Sequence, residues 1–449
     1  MERMNRMPIK VSMISLGCPK NQVDAEGMLA ILKSSGFKLT QHVGLSDVVI
    51  INTCGFIEDA KKESIENILE MAQLKKEGTI KGIVVSGCLS QRYFKEMQVE
   101  FPEVNCILQV GCAGDIAKAV EAAYNGAKLN LEADPEQLDL GSERVVTTLP
   151  FYAYLKIAEG CDNGCTYCVI PSLRGRYRSR PIEELVAEAE KLSSGGVREL
   201  ILVAQDTTRY GQDLCGRLML PELLRRLCGV SGLKWIRLLY CYPDYITDEL
   251  INTIAENEKI VKYIDIPIQH VNERILTAMN RHMGKQALTA LIDKLRARIP
   301  GVTLRTTLIV GFPGETGEEF AELAEFVKEV RFERLGAFAY SREDGTPAAL
   351  LDGQLEEEEK QHRQDVVMTE QQRIVGDYNN AMLGRAVEVL TEGFDRYAEC
   401  YFGRSKSDAP DIDGKIFFTS PKKLRPGDFV SVLIKEIYDD DLYGEALFE

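Results

Sequence analysis

Short hydrophobic runs alternate with amphipathic stretches between Val11 and Gly126. The runs VSMISLG, DVVIINT and GIVVSG are rich in β-branched residues, and longer helix-favouring segments separate them. Continuous apolar strands that alternate with helices are typical of a parallel sheet covered on both faces. The pattern therefore predicts a doubly wound α/β domain over residues 8–128.

A second alternation of the same kind begins at FYAYLKIAEGC. The segment before it, residues 129–149, is acidic and aperiodic, so we predict a linker there. Six strand-like runs separated by helical segments then follow, the last being RLGAFAYS. Right-handed crossovers between six parallel strands form a partial (β/α)6 barrel, predicted here over residues 150–375. Such a barrel places its chemistry at the carboxyl ends of its strands.

The end of the chain, residues 381–449, has a third pattern. The runs RAVEVLTEG, KIFFTS and DFVSVLIKEIY are separated by Gly, Asp and Pro, which predicts a small OB-like all-β barrel. A polar stretch that begins LEEEEKQHRQD precedes it and predicts a connecting helix or helix pair. The expected fold class is therefore an α/β multidomain protein with a carboxyl-terminal β-barrel.

Composition and charge narrow the class of partner. No apolar run in the 449 residues approaches the ~20 needed to cross a bilayer, and MERMNRMPIK lacks the apolar core of a signal peptide. We therefore expect a cytoplasmic protein with no membrane partner. The net charge of −15 opposes binding to a phosphate backbone, so a basic protein is the expected partner and nucleic acid is not.

The sharpest chemical signal is the segment EGCDNGCTYCVIP, in which Cys161, Cys165 and Cys168 follow a C-x3-C-x2-C spacing. Three thiolates in one loop can bind three irons of a [4Fe–4S] cluster and leave the fourth iron open. Structural zinc is the alternative. Zinc requires four closed ligands, however, and no nearby histidine or fourth cysteine completes such a set.

Three further cysteines each follow a predicted strand of the first domain. Cys18 ends MISLGC, Cys54 ends VVIINTC and Cys88 ends GIVVSGC, about one βα repeat apart. Since the carboxyl ends of parallel strands share one edge of a sheet, these thiols should converge there. Three converging cysteines without a fourth imply a second iron–sulfur cluster with an open iron. The alternative is simple core packing, because cysteine is often buried.

The C-x3-C-x2-C motif and the barrel around it resemble the radical S-adenosylmethionine (SAM) superfamily. The resemblance implies that SAM chelates the open iron and that reduction of the cluster cleaves SAM to a 5′-deoxyadenosyl radical. It also implies SAM contacts from an aromatic residue in the cysteine loop and from the turn GFPGE. These residues are Tyr167, Gly311, Phe312, Pro313, Gly314 and Glu315. Packing of Tyr167 and an ordinary tight turn are the alternatives.

The three predicted blocks together resemble the methylthiotransferases, which join a three-cysteine domain, a radical SAM barrel and a TRAM β-barrel. SLGCPKNQVDAE, VAQDTTRYGQD and YSREDGTPA are similar to the RimO-type branch. That branch modifies an aspartate of small-subunit ribosomal protein twelve. The branch that modifies an adenosine of transfer RNA would show a Gln-Met-Asn run in place of PKN, and it remains the alternative. The acidic YDDDLYGE of the last block also suits a basic partner.

The resemblance implies two [4Fe–4S] clusters and SAM as both radical source and methyl donor. The radical would remove a hydrogen from the aspartate β-carbon, and the amino-terminal cluster would supply or carry the sulfur. A low-potential electron donor such as flavodoxin or ferredoxin is expected. A non-enzymatic iron–sulfur scaffold is the rival hypothesis. Five residues have no role assigned by the sequence: His270, which ends YIDIPIQH, and the basic run Arg174, Arg176, Arg178 and Arg180.

Overall fold

The computed structural model describes residues 8–139, 143–438 and 441–448. Outside them lie residues 1–7 of MERMNRMPIK, residues 140–142 of the predicted linker, residues 439–440 of YDDDLYGE, and residue 449. The chain forms two compact units. The first contains the described residues up to 147 together with 158–178 and 343–346, and the second contains 148–157, 179–342 and the described residues from 347 onward.

The first unit contains a six-stranded parallel sheet. Its strands are β1 (Lys10–Ser15), β2 (Lys38–Leu39), β3 (Val48–Thr53), β4 (Gly82–Gly87), β5 (Cys106–Leu108) and β6 (Leu129–Leu131). The helices between them are α1 (Pro19–Ser34), α2 (Glu58–Lys76), α3 (Cys88–Arg92), α4 (Phe94–Glu100) and α5 (Ile116–Tyr124). The strands lie in the order β2-β1-β3-β4-β5-β6, which is a doubly wound arrangement and confirms the predicted fold class here.

Both faces of this sheet are covered, as the continuous apolar strands predicted. Val48 and Ile50 of β3 pack into one core cluster, and Val49 and Ile51 pack into another on the opposite face. Burial of alternate residues on opposite faces explains why the strand shows no polar alternation. One boundary differs from the expected one, because the first residues of the predicted linker form β6. This edge strand has only three residues, too few to show a period.

The second unit contains a six-stranded parallel sheet with the order β14-β13-β12-β11-β10-β7. In chain order, the strands from here onward are β7 (Tyr152–Lys156), β8 (Ala158–Glu159), β9 (Arg178–Ser179), β10 (Glu199–Val203), β11 (Trp235–Leu238), β12 (Ile260–Asp265), β13 (Thr303–Val310) and β14 (Arg334–Ala339). In chain order, the helices from here onward are α6 (Ile170–Arg174), α7 (Ile182–Ser194), α8 (Gln212–Cys215), α9 (Leu220–Cys228), α10 (Asp248–Glu256), α11 (Glu273–Ala278), α12 (Lys285–Arg298), α13 (Gly317–Val330) and α14 (Glu357–Asn380). Of these elements, β8 and α6 belong to the first unit. Successive strands of the sheet are neighbours, which confirms the predicted partial barrel.

The carboxyl-terminal segment forms a closed five-stranded barrel, as predicted. Its strands are β15 (Ala386–Asp395), β16 (Cys400–Ser405), β17 (Ile416–Thr419), β18 (Phe429–Tyr438) and β19 (Asp441–Leu447). Inward-facing apolar residues such as Val389, Phe418 and Val432 fill it. The polar stretch before it forms the single helix α14. Among the described residues, no helix is both long enough and apolar enough to span a bilayer.

Buried charges join this small barrel to the parallel sheet within the second unit. Glu199, at the start of β10, accepts hydrogen bonds from Arg237 and Arg404 at 2.7 Å each. Arg404 also donates to Glu392, and all four side chains are buried. The two arginines balance the charges of the two glutamates. Each buried charge therefore has an opposite charge beside it in place of water. Sequence patterning missed this network because charged residues normally indicate exposed positions.

Candidate functional site

The structure places Cys18, Cys54 and Cys88 at the carboxyl ends of three neighbouring strands. Cys18 precedes Pro19 at the start of α1, Cys54 directly follows β3, and Cys88 opens α3 after β4. β1 pairs with β3, and β3 pairs with β4. The order of the sheet reverses between β1 and β3, which is where open α/β sheets bind ligands.

Two glycines allow these strand ends to approach each other. Gly17 has φ +87°, and a Cβ there would lie 2.9 Å from the Cys54 sulfur. Gly87 has φ +98°, and a Cβ there would lie 2.4 Å from the carbonyl oxygen of Thr53. Only glycine fits both the conformation and the space. Beside Cys18 lies a cavity of about 280 Å³, which leaves room for a ligand.

The three thiols act on one another electrostatically. Burial raises the pKa of Cys54 to about 12, and repulsion from Cys88 and Cys18 adds to this effect. Burial also raises the pKa of Cys88, although the nearby Arg174 opposes the rise. In the metal-free protein the thiols of Cys54 and Cys88 are therefore held protonated, so metal binding there must release protons.

The second set of cysteines, Cys161, Cys165 and Cys168, lies in the same compact unit. Backbone hydrogen bonds hold the loop, since Cys161 N–H donates to Gly175 and Cys168 N–H donates to the carbonyl of Cys165. Burial raises the pKa of Cys168 to about 12, and repulsion from Cys165 and Cys161 adds to it. The backbone N–H of Ile170 points to the Cys168 sulfur at 3.4 Å, the kind of contact that ligand sulfurs accept in iron–sulfur proteins.

These two sets of thiols suit clusters better than a single ion. Among the described residues, no group of three or more His, Cys, Asp or Glu side chains is arranged to hold a metal ion. A zinc site needs four ligands around one point, each sulfur about 2.3 Å from the ion. The cysteines of a cubic cluster bind different irons and can stand further apart. Cysteine thiolate is the usual ligand of iron–sulfur clusters, so the chemistry of these two donor sets suits that group.

The two cysteine sets are close neighbours in this unit. Cys88 packs in one apolar cluster with Val169 and Leu173, and Val169 directly follows Cys168. Lys20, from the PKNQ segment after Cys18, is near enough to act on Cys168 and lower its pKa. The chain therefore brings six cysteines from distant positions into one region.

Sequence reasoning missed one residue of this region, Arg174. Its side chain is 2% exposed and forms a buried ion pair with Asp24 of α1. It also donates to the side-chain oxygen of Asn21 at 3.0 Å and to the Cys88 sulfur at 3.3 Å. Burial tends to lower its pKa, but Cys88, Asp24 and Glu159 outweigh burial and raise it. A solvated or an intramolecularly paired face was the expectation for its basic run, and for Arg174 the structure shows the paired one.

The rest of that basic run is largely paired within the protein. Arg178 donates to the carbonyls of Arg174 and Arg176, and Arg180 forms a 2.7 Å ion pair with Glu188. Arg176 is exposed.

The predicted SAM turn follows β13 in the second unit. Gly311 has φ +71°, and Phe312 is fully buried against Tyr340, with ring centroids 5.4 Å apart. The Glu315 carboxylate accepts from the backbone N–H of Phe312 at 3.2 Å and from Arg363 at 2.7 Å. Glu315 thus holds the turn from inside, so the backbone of the turn is the part that could face a ligand. Tyr167 is half-buried in the cysteine loop of the first unit.

His270 lies beside this turn and is fully buried. Its Nδ1 accepts from the backbone N–H of Asn272 at 3.0 Å, and its Nε2 lies 3.8 Å from the Glu315 carboxylate. Burial lowers its pKa to about 4. Of its charged neighbours, Glu319 and Glu322 raise the pKa, whereas Arg274 and Arg363 lower it further. Glu315 is the carboxylate nearest to the ring. The burial dominates, so the ring is neutral at physiological pH.

We expect His270 to make the protein less stable in mild acid. The unfolded chain binds this proton near pH 6.5 and the folded chain only near pH 4, so stability falls as pH drops through that window. Between pH 7.5 and 5, wild type should lose about 2 kcal/mol more than His270→Gln in urea unfolding of the iron-free protein. His362→Gln, at an exposed histidine, should behave like wild type. Equal losses in wild type and His270→Gln would contradict the assignment.

Comparison with known families agrees with the three-part architecture. The Radical SAM superfamily model matches residues 155–327, Uncharacterized protein family UPF0004 matches residues 10–109, and the TRAM domain matches residues 383–447. TsrM from Kitasatospora setae, a radical S-adenosylmethionine methyltransferase solved with cobalamin and a [4Fe–4S] cluster, has a similar fold. The TM-score is 0.58 at 15% identity, over 77% of each chain.

These matches define a radical SAM enzyme with a TRAM barrel, a class that uses SAM and a [4Fe–4S] cluster. A curated relative from Pelotomaculum thermopropionicum, "Ribosomal protein uS12 methylthiotransferase RimO", is 51% identical over 98% of this chain and 100% of its own length. A relative of the same name from Caldanaerobacter subterraneus is 51% identical over 97% and 99%. The chain belongs to the RimO family of methylthiotransferases.

Proposed function

We propose that this protein transfers a methylthio group to the β-carbon of an aspartate in ribosomal protein uS12. The observation that carries the proposal is the meeting of two three-cysteine sets in one unit, where Cys88 packs against the residue next to Cys168. Relatives that match almost the full chain at about half identity bear the name of this activity. The net charge of −15 suits a basic substrate.

Cys161, Cys165 and Cys168 hold the cluster that binds SAM. When bound, this cluster supplies the electron that splits SAM into methionine and a 5′-deoxyadenosyl radical. By resemblance to radical SAM enzymes, the proposed SAM contacts are the turn residues Gly311 to Glu315 and the aromatic residue Tyr167.

Cys18, Cys54 and Cys88 hold a second [4Fe–4S] cluster with an open iron that carries the sulfur. Their place at the reversal of strand order and the cavity beside Cys18 support this role. The apolar packing between the two cysteine sets keeps the sulfur near the place where the substrate radical forms.

The proposed reaction exchanges one C–H bond for a C–S bond. One SAM is cleaved to methionine and a 5′-deoxyadenosyl radical, which removes the substrate hydrogen and becomes 5′-deoxyadenosine. A second SAM gives its methyl group to the sulfur and leaves as S-adenosylhomocysteine. Sulfide supplies the sulfur, and a low-potential donor of the flavodoxin or ferredoxin class supplies the electron. That electron returns to the protein when the substrate radical bonds to the methylthio group.

The test compares two substrates with one enzyme. The protein is reconstituted anaerobically with iron and sulfide, given SAM and a reductant, and mixed with uS12 or with transfer RNA. We expect mass spectrometry to show a methylthio group on the uS12 aspartate and none on the RNA. uS12 with that aspartate replaced by asparagine is the matched control. If the RNA were modified and uS12 were not, the assignment of uS12 as the substrate would be wrong. If no 5′-deoxyadenosine formed, the protein would be better explained as a non-enzymatic iron–sulfur scaffold.

A further inference from the structure

Arg174 lies where the two cysteine sets meet. It ends α6, the short helix that follows Cys168, and its guanidinium reaches the sulfur of Cys88 in the other set. Leu173, its neighbour, packs against Cys88 in the same apolar cluster. The helix is therefore fixed against the first cysteine set by packing as well as by charge.

The orientation of the guanidinium is determined by several partners. Asp24 binds one of its terminal nitrogens, while the other terminal nitrogen donates to Asn21 and to the Cys88 sulfur. Glu159 adds a second carboxylate at 3.6 Å. Because the guanidinium is planar and its donors point in fixed directions, these contacts aim one N–H group at the sulfur.

We infer that Arg174 is a positioning residue that donates a hydrogen bond to the Cys88 sulfur when Cys88 binds the amino-terminal cluster, and so raises the reduction potential of that cluster. The inference rests on the proposed function, which places a cluster at Cys88. Hydrogen bonds and positive charge near ligand sulfurs stabilise the reduced, more negative state.

This contact would give the two clusters different tasks. A cluster that splits SAM must be a strong reductant and needs a low potential, whereas a cluster that carries sulfur does not. Arg174 belongs to the segment of one set but donates to a sulfur of the other. Arg174 would therefore make the amino-terminal cluster easier to reduce. It would leave the potential of the SAM cluster low, because its hydrogen bond reaches only a sulfur of the amino-terminal set.

The test measures the potential of the amino-terminal cluster alone. Full-length protein carrying Cys161→Ala, Cys165→Ala and Cys168→Ala retains only that cluster, and its potential is followed by electron paramagnetic resonance during a redox titration. Adding Arg174→Gln should shift the midpoint to a more negative potential while the iron content stays the same. Adding Arg176→Gln instead, at an exposed arginine in the same segment, should cause no shift.

A second variant separates this role from a merely structural one. Arg174→Gln leaves Asp24 buried without its cation, which can destabilise the fold. Arg174→Gln combined with Asp24→Asn removes both charges of the pair and should show a smaller negative shift, because the hydrogen bond to Cys88 is lost while loss of the Asp24 charge acts in the opposite direction. An unchanged midpoint in the folded double variant would overturn the inference. If the background protein binds no iron at all, the second cluster is absent, and the proposed function fails at that point instead.

Discussion

Replacing Cys161, Cys165 and Cys168 together with alanine is expected to abolish SAM cleavage. Without these thiolates no cluster can pass an electron to SAM, so 5′-deoxyadenosine should fall to the background of a reaction without enzyme. The backbone hydrogen bonds from Cys161 N–H and Cys168 N–H do not involve the replaced side chains, so they should persist in the variant. Bound iron should fall by about half, since one of two four-iron clusters is lost.

The control for this variant removes two thiols elsewhere in the chain. Cys215→Ala with Cys228→Ala changes an exposed and a half-buried cysteine outside both sets. This double variant should keep full iron content and full SAM cleavage. If the Cys161, Cys165 and Cys168 variant still produced 5′-deoxyadenosine at the wild-type rate, these residues would not hold the SAM cluster.

Replacing Cys18, Cys54 and Cys88 with alanine should separate two activities. Bound iron should again fall by about half. Formation of 5′-deoxyadenosine should continue, because the SAM cluster remains, but methylthiolation of uS12 should be lost for want of a sulfur carrier. Iron analysis, together with mass spectrometry of the nucleoside and of the protein substrate, checks all three expectations on one sample.

The matched control uses buried cysteines of the same sheet. Cys106 and Cys112 lie in a core cluster on one face of this sheet and belong to neither cysteine set. Cys106→Ala and Cys112→Ala remove two buried thiols and should leave iron content and methylthiolation unchanged. Wild-type iron content in the Cys18, Cys54 and Cys88 variant would refute the second cluster while leaving the radical SAM assignment intact.

Arg174 shows where local pattern misleads about the site. In sequence it belongs to a run of alternating arginines, which normally indicates a solvated face. Its burial depends on Asp24, which is far away in the chain and belongs to α1. No periodicity within either segment encodes that pairing. Glu315 is a similar case, since its side chain supports its turn from within rather than facing outward.

The amino-acid sequence by itself determined the alternation of strands and helices, the closed β-barrel at the carboxyl end and the six cysteines of interest. These features depend on the periodicity of apolar residues and on the spacing of cysteines. Both can be read within a single segment of the chain. The tertiary structure alone decided that Cys18, Cys54 and Cys88 end neighbouring strands and that Arg174 reaches Cys88. It also decided that Glu199, Arg237 and Arg404 share one buried network. Such pairings depend on strand order and on the compensation of buried charges between distant residues, which local pattern does not encode.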